Sequence, residues 1–432
     1  MSTEALGRGT VAEQPALLLP EGTRLLHIGP PKTGTTTIQG AFHEARERSL
    51  AQGVRYAGSS QHSAVAVLAG IGRPSFKDGE APPSRRYWNA LRKEVRGARE
   101  PRVVISSEFF ADADPDAIPR IVDELGGGLQ VVLTLRPLGR ILPSQWQQYV
   151  KSGLSLSYEG WLEGILNTPD KTTPLFWRRH RHHDLAAAWA AVVGPERLTV
   201  IVVDDRDHER VLRDFERLTG LRAGTLAAVD DFVNRSMTLP EAEALRAFTI
   251  AFRAEGFSNA LLHKVMNFGT ADYVKVRVPS QEEPRVQTPQ WALDGIAPVT
   301  HEIVDGLRAG GYRIVGDLDA LAVEEHSRLA GDRNPDVAIP PEIAARMAVG
   351  MLVVQGLERS PRAADLAAGG RAPGALPSDA PVHIEPPGIA RLPTSRLLIF
   401  LAERALHALR RARHRLARNR PPAPGPRVPF EP

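Results

Sequence analysis

The chain of 432 residues contains no cysteine. Disulfides, thiolate catalysis and cysteine-based metal sites are thereby excluded, while the compartment is left open. No apolar run approaches the ~20 residues that a membrane-spanning helix needs. The N-terminus lacks a basic stretch followed by an apolar core, so no signal peptide is expected and the cytoplasm is the expected location. An excess of one charge is also lacking: the formal net charge is only +4, so the total does not imply nucleic-acid binding and no nucleic-acid partner is expected. What remains is 42% hydrophobic and 24% charged, the balance of a soluble globular protein able to bury a sizeable core. No internal repeat is visible.

The most informative run is Leu26 to Thr37, Leu-His-Ile-Gly-Pro-Pro-Lys-Thr-Gly-Thr-Thr-Thr. A short apolar strand, Arg24 to Ile28, feeds a Gly/Pro turn. Ile38, Ala41, Phe42 and Ala45 then recur at helical spacing. Strand, glycine turn and helix start together aim backbone N–H groups and the positive helix end at an anion, typically a phosphate. Lys32 adds a mobile point charge, and Thr35 and Thr36 add hydroxyl donors. The run is not a Walker A loop, in which lysine directly follows the last glycine. Here Lys32 precedes Gly34.

A second segment has matching character. Gln130 to Leu135 is a buried-strand run of β-branched and leucine residues, ended by Arg136-Pro137 and followed by a helical stretch. Arg136 and Ser144 offer a planar multi-donor cation and a neutral donor, the pairing that a dianionic phosphate demands.

Taken in order, Pro31-Lys32-Thr33-Gly34-Thr35-Thr36 and Arg136 with Ser144 resemble the nucleotide-binding motifs of sulfotransferases that use 3′-phosphoadenosine-5′-phosphosulfate (PAPS). The resemblance spans Arg24 to about Pro240 and points to the bacterial and carbohydrate-type branch. It implies that Pro31 to Thr36 hold the 5′-phosphosulfate and that Arg136 and Ser144 hold the 3′-phosphate. The sequence departs from the cytosolic small-molecule enzymes at two points. Thr37 stands where they carry an adenine-stacking tryptophan, and their Lys-x-x-His stretch has no counterpart. The missing tryptophan favours a sugar or glycolipid acceptor over a phenol.

Sulfuryl transfer releases a phosphate, and charge grows on the bridging oxygen. An ammonium beside that oxygen stabilises the transition state more than the ground state, and Lys32 is the candidate. The acceptor needs a base. Heparan-type relatives place a glutamate at the end of an equivalent strand, which assigns Glu108, after the strand ending at Ser106. His62 and His27 are the rivals, although His27 alternates with apolar residues as a packed core histidine does. Glu108 is otherwise a helix cap or a loop salt bridge. No metal is expected. His180, His182 and His183 are expected in an exposed basic stretch with Arg178, Arg179 and Arg181.

Strands are expected at Arg24–Ile28, Arg102–Ser106, Gln130–Leu135 and Leu198–Val203. Helices are expected at Thr36–Ala51, Arg85–Arg99, Ile118–Leu125, Gly139–Ser152, Asp184–Val193 and Glu209–Thr219. Strands separated by helices argue an α/β fold, P-loop-like and three-layered around a parallel sheet. Its ligands should sit at the carboxyl ends of the strands. Ser236 or Thr238 caps a further helix carrying Glu241, and residues 258–298 read as irregular. The expected organisation is a flexible arm (1–22), a catalytic domain (23–357), a Pro/Ala/Gly-rich linker (358–395), a basic amphipathic helix (396–418) and a flexible tail (419–432). Leu398, Leu401, Leu409 and Leu416 share one stripe of that helix, with Arg404, Arg410, Arg411 and Arg415 around it. Such a segment either docks on the protein itself, stays a disordered basic tail, or attaches to an anionic membrane surface or an acidic partner.

The expected function is therefore a PAPS-dependent sulfotransferase acting on a hydroxyl or amine of a small-molecule or glycan acceptor. A nucleotide kinase or NTPase of the P-loop type is the alternative, with Ile201 to Asp204 as its only Walker-B mimic. A catalytically inactive nucleotide-binding scaffold is a third reading.

Overall fold

The structure, a computed structural model, describes residues 17–74, 81–229, 235–322, 328–329 and 332–354. The expected linker, basic helix and C-terminal tail lie outside the described residues, as do the first sixteen residues of the expected arm. The rest of that arm is packed: Leu17 and Leu19 are buried, and the Leu19 N–H donates to the Leu218 carbonyl at 2.9 Å.

The described residues form eight strands: β1 (Thr23–His27), β2 (Val54–Tyr56), β3 (Arg102–Ser106), β4 (Leu129–Leu135), β5 (Leu198–Val202), β6 (Thr288–Pro289), β7 (Arg313–Val315) and β8 (Arg328–Leu329). Six of them make one sheet in the order β2-β3-β1-β4-β5-β7, and every pairing is parallel. β6 and β8 form a separate parallel pair. Leu26 in β1 pairs with Ile105 of β3 on one side and Val131 of β4 on the other.

β3, β4 and β5 are mostly apolar because both sheet faces are covered. Successive residues point to opposite faces. Val131, Leu133 and Leu135 of β4 join one core with Trp88, Trp146, Trp161 and Trp189, while Val132 joins a second with Ile38, Phe42 and Phe215. The result is an α/β fold with a central six-stranded parallel sheet flanked by helices, as expected from the alternating pattern.

The strand order reverses beside β1. The chain leaves β1 toward β2, returns to β3, and then crosses to β4 on the other side. Such a switch point opens a crevice at the carboxyl end of the central strand. The segments following β1, β3 and β4 carry Lys32, Glu108 and Arg136 respectively.

Several expectations need correction. The helix expected over Thr36–Ala51 is broken: it runs over Thr35–Glu44 and resumes at Arg46–Leu50. The break lets Arg46 donate to the Tyr56 carbonyl at 2.7 Å and lie over the Tyr56 ring. Residues 258–298 are largely helical, with Asn259–Val265, a π-helical turn Met266–Thr270, Ala271–Lys275 and the start of a long helix, Gln290–Ala309. Thr238, not Ser236, caps the helix Leu239–Ala254, in a capping box with Glu241. The histidine stretch is not exposed. His180 and His182 are buried and Arg179 makes a buried two-pronged ion pair with Asp112, at 2.6 Å on both arms. Burial pushes both histidines far below the usual imidazole range, so they are neutral core residues.

Candidate active site

The loop after β1 is shaped by a buried polar network. His27 Nδ1 meets Ser106 Oγ at 2.8 Å and its Nε2 meets Thr134 Oγ1 at 3.0 Å. Thr134 Oγ1 also contacts Thr33 Oγ1 at 3.0 Å, and the Thr33 hydroxyl donates to the Pro30 carbonyl. These bonds tie β1, β3, β4 and the loop together. Gly29 sits against this network so closely that a Cβ there would lie 2.2 Å from Thr134 Oγ1. His27 is therefore a structural residue. Burial lowers it to about 3, too low for it to exchange protons with an acceptor near neutrality.

Beyond that anchor the backbone turns left-handed at Lys32 (φ 72°) and again at Gly34 (φ 88°). Lys32 is the one non-glycine residue with positive φ among the described residues. Left-handed backbone costs roughly 1–2 kcal/mol for a residue with a Cβ. The turn delivers the chain into the helix Thr35–Glu44, which has no side-chain cap and no acid in its first turn. Its leading N–H groups are thus left for an anion.

Pro31, Lys32, Gly34, Thr35, Thr36, Glu108, Arg136 and Ser144 all line one cleft of about 1110 Å³. Of the residues singled out from the sequence for nucleotide contact, only Thr33 keeps its side chain out of the cleft, in the network described above. Burial, and then the neighbouring Lys151 ammonium, hold Lys32 down to about 8; Glu108 acts in the opposite direction.

Glu108 opens a 3-10 turn directly after β3, and Ser107 caps that turn. One carboxylate oxygen accepts from Gln39 Nε2 at 3.1 Å. Gln39 Oε1 in turn contacts His62 Nδ1. The buried amide is thereby oriented: its NH₂ must face the acceptor-only carboxylate, and its oxygen faces the imidazole N–H. The two rival bases are joined through one glutamine, with Glu108 in the cleft and His62 on the outer surface.

Arg136 follows β4 directly. Its guanidinium pairs with Asp205, at 2.8 Å, beyond the end of β5. Asp205 also lies 3.5 Å from Arg140. The Ser144 hydroxyl donates to the Ile141 carbonyl in its own helix, Leu138–Lys151.

Among the lining residues not singled out for the site from the sequence are Lys151, Arg179, Asn267 and Lys275. Lys151 had a usable signal, since it lies two helical turns beyond Ser144 on the same face. The others come from the buried histidine stretch and from the segment read as irregular. Among the described residues no group of three or more His, Asp or Glu side chains is gathered as metal ligands would be. No described helix is long and apolar enough to cross a membrane.

No protein-family model and no curated protein matches the chain. Among solved structures, the chain is similar to the crystal structure of a sulfotransferase from Alicyclobacillus acidocaldarius. That match has 19% identity and a TM-score of 0.36, and covers 56% of this chain and 96% of that one.

Proposed function

We propose that the protein is a sulfotransferase that moves a sulfuryl group from PAPS to a hydroxyl or amine of its acceptor. The observation that carries this reading is one of placement. A left-handed lysine loop ahead of an uncapped helix, a carboxylate and an arginine follow three adjacent strands and line the same cleft.

In this reading the N–H groups of Thr33 to Thr36 and the Thr35 and Thr36 hydroxyls bind the 5′-phosphate. Arg136 and Ser144 bind the 3′-phosphate, with Asp205 holding the guanidinium in position. Lys32 stabilises the charge that develops on the bridging oxygen. The S–O bond to the phosphate breaks as a bond from sulfur to the acceptor oxygen or nitrogen forms. Glu108 accepts the proton that the acceptor releases. The products are the sulfated acceptor and adenosine 3′,5′-bisphosphate.

A nucleotide-kinase reading would use Asp204 as a metal-binding carboxylate. Its two oxygens instead accept from Arg206 Nε and Nη2, each at 3.0 Å. The readings separate in a binding experiment. Calorimetry should show binding of adenosine 3′,5′-bisphosphate without added metal, and much weaker binding of the analogue lacking the 3′-phosphate. Preference for ATP with Mg²⁺ would favour the kinase, and binding of neither nucleotide would favour an inactive scaffold. Radiolabelled PAPS offered with pooled glycans, lipids and metabolites then identifies the acceptor.

A further inference from the structure

The proposed donor chemistry uses Lys32 and Arg136. It leaves two further ammonium groups in the same cleft, Lys151 at the end of the helix Leu138–Lys151 and Lys275 at the end of the helix Ala271–Lys275. We infer that Lys151 and Lys275 form an acceptor subsite for a negatively charged group, so that the sulfuryl acceptor carries a carboxylate or a phosphate or sulfate ester beside its reacting hydroxyl or amine. The inference rests on the sulfotransferase reading and narrows its substrate class.

The charge balance of the lining supports it. The acids lining the cleft are Glu44 and Glu108, against Lys32, Arg136, Lys151, Arg179, Arg235 and Lys275. The arginines are committed. Arg136 pairs with Asp205, Arg179 with Asp112, and Arg235 with Glu241. Lys151 is held differently. Among the described residues Lys151 makes no ion pair within 4.0 Å, and the acid that acts on it is the exposed Asp272. Burial lowers Lys275 to about 8, and Lys151, Lys32 and Arg235 push it the same way against Asp272. Burial also lowers Lys151.

Three amines thus line one partly desolvated cleft, where burial lowers each of them, Lys151 also lowers Lys32, and Lys151 and Lys32 also lower Lys275. An entering anion relieves both the burial and the mutual repulsion, which a neutral acceptor cannot do. Lysine suits an acceptor subsite because its ammonium is a point charge on a flexible stem, able to follow an anion that is not held bidentately. Asn267, in the π-helical turn between the two helices of this wall, adds a neutral amide to the same lining.

The test uses the full chain saturated with adenosine 3′,5′-bisphosphate, which fills the donor site. Glucose, glucuronic acid and glucose 6-phosphate are then titrated by calorimetry at low and high salt, with inorganic sulfate as the control for the vacant sulfuryl position. At least one anionic sugar should bind at least tenfold more tightly than glucose and more tightly than sulfate, with affinity falling as salt rises. Preference for the carboxylate or the phosphate ester names the charged group. Lys151→Gln combined with Lys275→Gln should abolish the difference between charged and neutral sugars while leaving nucleotide affinity within twofold. Circular dichroism of the double variant establishes that it is folded, and each single variant is a fallback if it is not.

Equal binding of charged and neutral sugars overturns the inference. So does a loss of nucleotide affinity as large as the loss of sugar affinity, which would place both lysines in the donor site. Failure of the nucleotide to bind at all is a distinct result, and it overturns the sulfotransferase reading itself.

Discussion

The cleft is built from two kinds of scaffold. Lys32, Glu108 and Arg136 follow the ends of neighbouring parallel strands, and a buried His27–Ser106–Thr134–Thr33 network binds those strands to the loop. Lys151, Asn267 and Lys275 instead come from helix ends and a π-helical turn. That second wall is positioned by contact between helices. A Cβ on Gly269 would lie 2.4 Å from the Gly350 carbonyl oxygen, so the π turn and the helix Pro341–Val354 touch backbone to backbone. Arg277, Glu241, Glu283 and Glu342 add a largely buried ionic cluster just beyond it. The difference separates the two tasks of a transferase. In the proposed reading, the groups that meet the donor phosphates sit on the hydrogen-bonded sheet, and the groups that meet the acceptor sit on packed helix ends.

The largest effect should come from the strand-end wall. Lys32→Ala is expected to lower turnover by about 3 kcal/mol or more, since a charge at the leaving oxygen is lost, and to weaken product-nucleotide binding much less. Turnover within threefold of the parent would remove Lys32 from the mechanism. Its lowered proton affinity sets the alkaline side of the profile. A lysine held at about 8 loses its proton earlier than an exposed one. Rates at subsaturating substrate should therefore fall as pH rises through about 8, and the bound anion should shift that fall upward.

Glu108→Gln is next, with turnover down about a hundredfold and nucleotide affinity nearly intact. Full activity would transfer the base role to His62. Gln39→Leu should lower turnover less than Glu108→Gln does, since it removes only the group that orients the carboxylate.

Arg136→Ala should weaken nucleotide binding by about tenfold or more, and Ser144→Ala by less, because a charge-assisted contact exceeds a neutral one. Both should lose discrimination for the 3′-phosphate, measured by calorimetry. Unchanged discrimination would take that phosphate away from these residues.

Gly269→Ala tests the other wall. It should raise the acceptor KM and cost about 1–3 kcal/mol of stability by overpacking, with nucleotide affinity unmoved. A parallel loss of nucleotide affinity would show that the two walls are one mechanical unit. The smallest effect is none at all: activity should persist in EDTA, and a sharp loss restored by one divalent metal would favour the kinase.

The contrast between the walls also marks what could be read from the sequence. β3, β4 and β5 are mostly apolar runs and β1 leads into a Gly/Pro turn, so Lys32 and Arg136 could be named from the segments after their strands, and Glu108 from its place after β3 together with the resemblance. β2 and β7 are three-residue strands with too few positions to show a pattern. Arg179 was hidden because a run rich in Arg and His reads as exposed until its partner, Asp112 from a distant turn, is known. Lys275 and Asn267 were hidden because the short helices around the π turn gain their order from tertiary packing rather than from their own periodicity. Thr238 and Glu241 show the opposite case, a capping box whose partners are three residues apart.

The lysine-rich cleft has a last consequence, for the ground state of the fold. Lys32 and Lys275 are each held near 8, below the range of an exposed lysine, so the folded chain binds fewer protons than the unfolded chain as pH climbs above that value. Stability of the ligand-free protein should therefore rise between about pH 8 and 10.5. An anion in the cleft should offset at neutral pH the burial cost, and then the repulsion from neighbouring cations, that alkali relieves by removing the protons. Sulfate or phosphate in the solvent should raise the melting temperature before any substrate is added.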